Sequence, residues 1–310
     1  MLKQPNRYKH TALIDADSIM WIAGNGNKVK DKWGNPLKVD GKFVYTDKTL
    51  PEAIATCDNY LNDILNVSKA DSYTLFLTTG QTFRAKLDPS YKANRISFEK
   101  PLWFYEVKQH LIDKWDAVEV DGLEADDLVV LTKNHLENSF IIASDKDILQ
   151  CVPGRHFDAR KGQLKFIDVD YYQARFNFAR SLLTGDAVDG IPNLIKGMGP
   201  KTAEAELERR MEFNNPVIAA LLVFISNLGE HQGLIRFANQ YQLLKMIETL
   251  DQLPEGIEFA IREPQCWNCV ETILSDDFYN LYSCDTPSDV PWEQKAQSKS
   301  ALNTSETSPQ

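Results

Sequence analysis

The chain has 310 residues, 43% of them hydrophobic, and a formal net charge of −10 at pH 7. This length and apolar content favour a globular protein that buries a sizeable core, either as one large domain or as one domain with a smaller appendage. No stretch approaches the roughly 20 consecutive apolar residues of a membrane helix, and the N-terminal residues lack the apolar core of a secretory signal, so we expect a soluble cytoplasmic protein.

The first part of the chain alternates between strand-like and helix-like patterns. Four short apolar runs are typical of buried parallel strands: residues 11–14, 73–77, 117–120 and 140–143. Helical spacing of apolar side chains predicts helices at residues 51 to about 66 and 124 to about 137, and a Gly/Asn/Lys-rich insert at residues 24–41 precedes the first of them. The alternation predicts an α/β fold, with a mostly parallel twisted sheet and helices on both faces.

A change of pattern divides the chain. After about Asp168 the strands stop, and helical, Gly-punctuated sequence follows. We therefore predict an α/β core over residues 1–177 and a helical module with a further helical region over residues 178–290. Residues 291–310 are rich in Ser, Thr, Gln and Lys, and we predict a disordered tail there.

The five cysteines are Cys57, Cys151, Cys266, Cys269 and Cys284. An odd count without regular spacing argues against a disulfide framework, so we expect mostly reduced core cysteines. Cys266 and Cys269 form a C-x-x-C that is compatible with zinc. A tetrahedral zinc site needs four ligands and only Cys284 is nearby, so this motif is weak evidence for zinc.

Acidic residues stand at four points where a predicted strand ends or a predicted helix starts. They are Asp15; Glu124, Asp126 and Asp127; Asp145 and Asp147; and Asp186 and Asp189. Taken singly, these groups have ordinary explanations, such as a turn or helix cap for Asp15 and complementing of a helix dipole for the group at 124–127. Because ligands of open α/β sheets bind beyond the carboxyl ends of the strands, we expect the four groups to converge on one edge of the sheet.

The spacing within these groups lets side chains share a direction. Glu124 and Asp127 lie three residues apart on a helix, and Asp145 and Asp147, two apart in extended chain, point the same way. Clustered carboxylates suit Mg²⁺ or Mn²⁺, and two such ions about 4 Å apart support phosphodiester hydrolysis. Setting the eight acids aside takes the net charge from −10 to −2, so the overall charge neither supports nor excludes DNA as a partner.

Residues 195–203, Ile-Lys-Gly-Met-Gly-Pro-Lys-Thr-Ala, resemble a helix-hairpin-helix loop. Gly197 and Gly199 permit close approach of the backbone to a DNA phosphate, and Pro200 is suited to open a helix whose N-terminus, with Lys196 or Lys201, binds the anion. A P-loop is excluded, because the G-x-x-x-x-G-K-[ST] pattern is missing. For this segment taken by itself, a plain Gly-Pro helix start with surface lysines is the alternative.

Five motifs follow one another with consistent spacing. They are Leu13-Ile14-Asp15; Phe83-Arg84 with Tyr91-Lys92-Ala93-Asn94-Arg95; Glu124-Ala125-Asp126-Asp127; Ser144-Asp145-Lys146-Asp147; and the segment from Gly185-Asp186 to Lys201-Thr202-Ala203. Together they resemble the 5′ nuclease family, which includes phage 5′ exonucleases, the 5′-nuclease domain of bacterial DNA polymerase I, and flap endonucleases. The resemblance covers about residues 10–210 and implies a PIN-like nuclease core followed by a helix-three-turn-helix module.

The resemblance implies a role for each matching residue. Metal binding is implied for Asp15, Glu124, Asp126, Asp127, Asp145, Asp147, Asp186 and Asp189. Lys92 and Arg95 match active-site cations that neutralise the scissile phosphate. DNA binding is implied for Arg84, Tyr91, Lys196, Gly197, Gly199, Lys201 and Thr202, with Tyr91 stacking on an unpaired base. The implied cofactors are two Mg²⁺ ions, replaceable by Mn²⁺, and K⁺ at the hairpin loop, where relatives bind a monovalent cation.

The resemblance also implies an arch at about residues 92–114, through which a 5′ single strand threads or is clamped. Aromatic residues there, Trp103, Phe104, Tyr105 and the adjoining Trp115, could equally belong to the core. The chain departs from many relatives at the end of the second strand, where it has Thr78 and its neighbours in place of an Asp. One ligand of the second metal is therefore missing or replaced by water.

The implied activity is that of a 5′→3′ exonuclease and structure-specific 5′-flap endonuclease, which hydrolyses DNA phosphodiesters and removes RNA primers during phage DNA replication. The implied partners are duplex ends, nicks, 5′ flaps, RNA/DNA hybrids and a replisome or single-strand-binding protein, for a monomer in a bacterial host cytoplasm. Two alternatives stay open: a related ribonuclease, and a non-catalytic branched-DNA-binding protein.

Overall fold

The computed structural model describes residues 3–160, 162–210 and 214–267. The strands are β1 (Thr11–Asp15), β2 (Lys38–Val39), β3 (Lys42–Phe43), β4 (Ser72–Leu77), β5 (Val118–Glu119), β6 (Ser139–Ala143), β7 (Gly154–Asp158), β8 (Lys165–Val169) and β9 (Gln265–Cys266). The helices are α1 (Asp17–Gly24), α2 (Leu50–Ser68), α3 (Phe83–Leu87), α4 (Phe104–Trp115), α5 (Ala125–His135), α6 (Lys146–Cys151), α7 (Tyr171–Thr184), α8 (Pro200–Glu208), α9 (Pro216–Leu228) and α10 (Glu230–Leu244). The predicted tail lies outside the described residues.

A sheet in the order β5-β4-β1-β6-β7-β8 forms the centre of the described chain. Strands β5, β4, β1, β6 and β7 run parallel, whereas β8 returns antiparallel along β7 and β9 pairs antiparallel with the start of β4. The four predicted strands are all present and all parallel. The prediction of a mostly parallel sheet is confirmed.

Helices cover both faces of this sheet because its central strands are apolar on both sides. Successive side chains of a strand point to opposite faces. In β1, Ala12 and Ile14 pack with α1, α2 and α4, whereas Leu13 packs on the other face with α5 and α6. Burying a side chain such as Leu13 contributes about 1.5–3 kcal/mol, so each face favours a helical cover.

Helix α2 shows how local sequence produces one of these covers. Thr49 and Glu52 form a capping box at its start, and Pro51 lies in its first turn. Cys57, Leu61 and other apolar side chains are buried along one face. The predicted helix at residues 51 to about 66 is confirmed, with slightly wider bounds.

The predicted arch segment contains a core helix. Val107, Leu111 and Trp115, each four residues from the next, line the buried face of α4 and join the core that covers one side of the sheet. Phe104 is buried with them, whereas Tyr105 is exposed. The alternative that these aromatic residues belong to the core holds for Phe104 and Trp115. The arch at about residues 92–114 stays a prediction.

Helices α7 to α10 surround a further core, which includes Phe178, Leu182 and Phe224. Helix α7 begins at Tyr171, before the predicted boundary at residue 177, and residues up to Trp267 belong to one compact unit. The division into two domains stays a prediction.

Three described cysteines bear on the expected redox state. Cys57 is buried and free, and Cys151 is also free, as expected. Cys266 is disulfide-bonded, which contradicts the expectation of a reduced cysteine there. Cys269 and Cys284 lie outside the described residues, so zinc at the C-x-x-C stays untested. Within the described ranges, none of the helices has the length and apolarity of a membrane span.

Candidate active site

The carboxyl ends of β4, β1 and β6 lie side by side, and a cavity of about 640 Å³ opens beyond them. Six of the eight predicted acids line this cavity: Asp15, Glu124, Asp126, Asp145, Asp147 and Asp189. They come from β1, from the start of α5, from α6 and its N-cap, and from the turn after α7. The parallel sheet thus gathers acids that are far apart in the chain, as the strand-end argument predicts.

The acids at the start of α5 form the tightest group in the described chain. One carboxylate oxygen from each of Glu124, Asp126 and Asp127 lies within 4.8 Å of the others. Both oxygens of Asp127 are already occupied, because they accept hydrogen bonds from Arg84 at 2.6 and 2.7 Å and from the Ile247 amide at 3.0 Å. Asp127 is fully buried and does not line the cavity, so its geometry suits positioning better than direct metal binding.

Arg84 lies beneath this group and is only 1% exposed. Its guanidinium donates to Glu124 at 2.9 Å, to both oxygens of Asp127 and to the Lys245 carbonyl at 2.7 Å. Burial opposes its charge, but the carboxylate of Asp127 outweighs burial and raises the pKa of Arg84. Because its donors are spent on buried protein acceptors, the geometry favours a structural role for Arg84, and the contact with DNA stays a prediction.

Tyr91 is also buried, at 6% exposure. Its hydroxyl donates to Glu124 Oε2 at 2.9 Å, and burial raises the pKa of Tyr91, so the hydroxyl stays protonated. This burial and this hydrogen bond favour a role for Tyr91 in orienting Glu124. The predicted stacking on an unpaired base stays a prediction.

Lys92 and Arg95, the two predicted catalytic cations, both line the cavity. Lys92 Nζ lies 2.5 Å from Glu124 Oε1 and 3.8 Å from Asp189 Oδ2, and the Arg95 guanidinium pairs with Asp189 Oδ1. Burial lowers the pKa of Lys92, but the carboxylates of Glu124, Asp126 and Asp189 together raise it more, so the ammonium stays charged. Lys92 has a left-handed backbone (φ 55°), and its amide donates to the Asp189 carbonyl at 2.8 Å. Backbone strain of this kind persists where the surroundings hold it in place.

Asp17, which the sequence analysis did not select, also faces the cavity. Its Oδ1 accepts a hydrogen bond from the Thr78 amide at 2.9 Å, and its Oδ2 accepts one from the Thr78 hydroxyl at 2.6 Å. Its carboxylate therefore lies at the end of β4, where many relatives have an Asp. The signal in the sequence was the two-residue spacing from Asp15, the same spacing that drew attention to Asp145 and Asp147.

The remaining predicted acids lie around α6 and the turn after α7. Asp145 caps α6 by accepting the Asp147 amide at 2.7 Å, and both side chains line the cavity. Asp186 does not line it; its Oδ2 lies 3.6 Å from Lys146 Nζ and its Oδ1 accepts the Val188 amide at 2.7 Å. Asp186 thus shapes the turn that presents Asp189.

The electrostatics of the cavity favour a cation. Burial, with the charges of Asp17 and Asp145, raises the pKa of Asp15 to about 8. Burial and the Asp145 charge raise the pKa of Asp147 to about 7, and burial with Asp127 raises the pKa of Asp126 strongly. These carboxylates repel one another beyond what Lys92 compensates. A set of carboxylate oxygens with unbalanced negative charge fits a hard divalent cation such as Mg²⁺ or Mn²⁺.

The predicted hairpin loop connects α7 to α8 on the protein surface. Lys196, Gly197, Lys201 and Thr202 are exposed, and a Cβ at Gly197 or Gly199 would meet no atom within 4 Å. Gly199 precedes Pro200, which opens α8, and Gly197 has φ 89°, in the left-handed region that favours glycine. The loop leaves backbone and lysines open to an anion, although its contact with DNA stays a prediction.

Comparisons with known proteins found a family model, a sequence relative and a similar fold. Residues 38–177 match the model of the 5′-3′ exonuclease N-terminal, resolvase-like domain. The chain is 31% identical over 160 residues to DNA polymerase I of Rhizobium leguminosarum, a match that covers 47% of this chain and only 16% of that polymerase. The flap endonuclease of bacteriophage T5, solved in a complex with DNA and metal ions, has a TM-score of 0.54 at 15% identity, covering 76% of this chain and 88% of that chain. At that identity, the structural likeness speaks for the fold.

Proposed function

We propose that this chain, whose residues 38–177 match the 5′-3′ exonuclease N-terminal domain, is a 5′ nuclease that acts as a divalent-metal-dependent 5′→3′ exonuclease and 5′-flap endonuclease. The observation that carries the proposal is the cavity at the carboxyl edge of the sheet, which holds acids from four separate segments together with Lys92 and Arg95. A site for acid-base work on sugars needs only two carboxylates. A larger cluster with two cations beside it suits phosphodiester hydrolysis.

The metal ligands in this proposal are the acids that line the cavity: Asp15, Asp17, Glu124, Asp126, Asp145, Asp147 and Asp189. Two bound Mg²⁺ ions supply an activated water and stabilise the leaving oxygen. Asp127 and Asp186 support this set from behind, because neither side chain lines the cavity. We assign Asp17 the place of the acid that β4 lacks, since its carboxylate is held at Thr78.

Lys92 and Arg95 bind the scissile phosphate in this proposal. The Lys92 ammonium is held by Glu124 at the wall of the cavity, and the more exposed Arg95 guanidinium is held by Asp189. Both cations are therefore positioned before a substrate arrives, which avoids the cost of reorganising them during the reaction. Each can shift a hydrogen bond from its carboxylate partner to a phosphate oxygen.

Binding of duplex DNA is assigned to the loop between α7 and α8. Lys196, Lys201, Thr202 and the open backbone at Gly197 and Gly199 suit phosphate contacts, which position a duplex without reading its sequence. The same loop is proposed to hold K⁺. Removal of RNA primers during phage DNA replication, in contact with a replisome or single-strand-binding protein, is the further proposal that accompanies this activity.

The test is digestion of a 5′-flap duplex labelled at either end, with Mg²⁺ or with EDTA. We expect the wild type to cut near the junction and from the 5′ end only with the metal. Asp145→Asn and Lys92→Ala should abolish cutting but retain binding, whereas Asp168→Asn, an exposed strand acid outside the cavity, serves as the matched control.

Retention of the flap substrate without any cutting by the wild type, in Mg²⁺ or Mn²⁺, would overturn the enzyme proposal. The non-catalytic branched-DNA-binding protein would then be the better interpretation. Cutting restricted to RNA strands would instead favour the related ribonuclease.

A further inference from the structure

A positively charged hairpin projects from an otherwise acidic chain. Residues 27–46, called here the lysine hairpin, contain five lysines and two aspartates, a local charge of +3, whereas the whole chain carries −10. Strands β2 and β3 pair antiparallel in it, and the turn between them has Asp40 at φ 50° and Gly41 at φ 79°. Positive φ at both positions is the geometry of a tight two-residue hairpin turn.

Four of the five lysines of this hairpin have no ion pair among the described residues. In the described part of the chain, Lys28, Lys30, Lys32 and Lys38 are exposed and none forms an ion pair with a carboxylate. Asp31 lies between two of these lysines in sequence, but its carboxylate accepts hydrogen bonds from the amides of Trp33 and Asn35 at 2.8 and 2.9 Å. The positive charge of the lysines therefore faces solvent, where it attracts an anion.

Aromatic rings stand among these lysines. Lys28 Nζ and Lys38 Nζ lie 3.8 and 4.5 Å from the centroid of the Phe43 ring. Trp33 is 75% exposed, the highest value among the large apolar side chains described, on a turn that the Asp31 carboxylate holds in shape. A large exposed ring on an ordered turn loses little conformational entropy on binding. Exposed rings interleaved with lysines are the features that bind single-stranded nucleic acid, by stacking on bases and pairing with phosphates.

The base of the hairpin is fastened to the rim of the cavity. Lys48 Nζ donates to the carbonyls of Ala23 and Asn25 at 2.8 and 3.0 Å, and Trp103 Nε1 donates to the Lys48 carbonyl at 2.6 Å. Trp103 directly precedes α4, whose Phe104 and Tyr105 line the cavity together with Lys100 and with Trp21 of α1. The Lys100 ammonium lies 4.6 and 4.5 Å from the Phe104 and Tyr105 rings. Aromatic and basic side chains therefore occur both on the cavity wall and on the hairpin attached to its rim.

We propose that the lysine hairpin binds the unpaired strand of the substrate where it leaves the cavity, with Trp33 stacking on a base and Lys28 and Lys38 contacting phosphates. The identification of that strand as substrate rests on the proposed function. An exposed ring can stack on any unpaired base, and the lysines can pair with phosphates of any sequence. These interactions fit an unpaired strand better than a duplex, whose bases are already stacked. A second copy of an acidic chain and a protein partner are the other occupants that the test addresses.

The test is fluorescence anisotropy with labelled oligo(dT) of about 20 nucleotides, in EDTA so that no cutting occurs. We expect Trp33→Ala to weaken binding about tenfold and Trp33→Phe to restore most of it. The double variant Lys28→Ala with Lys38→Ala should reduce the slope of log K against log salt by about 1.4, since each phosphate contact on a single strand contributes about 0.7. Tyr171→Ala and Lys165→Ala, exposed residues outside the hairpin, are the matched controls.

Two results would overturn the proposal. One is oligo(dT) binding by folded Trp33→Ala and the double lysine variant within twofold of the wild type, which would leave the hairpin to a protein partner or a second copy. The other is an equal loss on blunt duplex, which would make the hairpin a duplex surface. Thermal melting checks folding. The outcome is separate from that of the flap digestion, because a wild type that binds oligo(dT) in EDTA but does not cut the flap duplex in Mg²⁺ or Mn²⁺ would refute the nuclease and leave the hairpin proposal standing.

Discussion

Arg84 offers the clearest contrast between what its sequence context implies and what the structure shows. The family resemblance makes it a DNA contact, whereas the structure buries it between Glu124 and Asp127. Replacing it by alanine would leave the buried Asp127 without its cation, and Glu124 with Lys92 alone. Breaking a buried pair in this way typically costs about 3–5 kcal/mol of unfolding free energy. Because Asp127 keeps the Ile247 amide as a donor, we expect a loss near the lower figure.

The measurement is urea unfolding of Arg84→Ala and of Arg95→Ala, followed by circular dichroism. Arg95 is the matched control, because its side chain is 42% exposed and pairs with one carboxylate at the cavity mouth. Exposed pairs contribute about 0–1 kcal/mol. Flap binding in EDTA, measured at a temperature where both variants are folded, provides the second readout.

The structural argument predicts a large stability loss for Arg84→Ala with little direct effect on flap affinity. It would be refuted by a variant that is as stable as the wild type but binds the flap substrate weakly. That result would mean that Arg84 reaches DNA through a rearrangement of the start of α5. Arg84→Lys should recover only part of the stability, since a lysine cannot donate to both oxygens of Asp127 in a planar fork.

Other expectations concern the metal, the protons and the core. Asp17→Asn should weaken Mn²⁺ binding at least about tenfold, and adding Thr78→Asp should restore the affinity by returning a carboxylate to the end of β4. Calorimetric titration measures both affinities. An unchanged affinity in Asp17→Asn would mean that Asp17 only accepts hydrogen bonds from Thr78 and does not bind the metal. Mn²⁺ binding at pH 6.5 should release protons, because the pKa values of Asp15 and Asp147 are raised to about 8 and 7. Calorimetric titrations in buffers of different ionisation enthalpy measure this release. A heat of binding that does not depend on the buffer would contradict the prediction. Burial lowers the pKa of His156 to about 4, so between pH 6.5 and 4 this histidine binds a proton in the unfolded chain but not in the folded one, and the free energy of unfolding falls as the pH drops through that window. His156→Gln should remove about 3 kcal/mol of this loss. An unaltered pH profile of urea unfolding in that variant would contradict the prediction.

The positions of the acids at one sheet edge could be predicted from local sequence. Apolar runs that end in Asp15 and Asp145 can be identified as buried strands, because a strand buried on both faces requires continuous apolar sequence. The parallel connection then places the ends of both strands at the same edge. The lysine hairpin carried a local signal as well, the Asp-Gly pair at residues 40–41. So did α4, whose apolar positions recur every four residues.

The roles of Arg84, Tyr91, Asp127 and Asp17 depended on tertiary structure. Arg84 and Tyr91 lie 40 and 33 residues from Glu124 in sequence and meet it only after the sheet and α5 have assembled. An arginine or tyrosine beside a family motif has the same local pattern whether it faces DNA or a buried carboxylate. Which of these two roles a side chain has depends on which charged groups the fold buries next to it. Asp17 likewise gains its place from Thr78, 61 residues away. Sequence by itself therefore determines the sheet and the edge at which its acids collect, whereas the packing of distant segments decides which of those acids face the cavity.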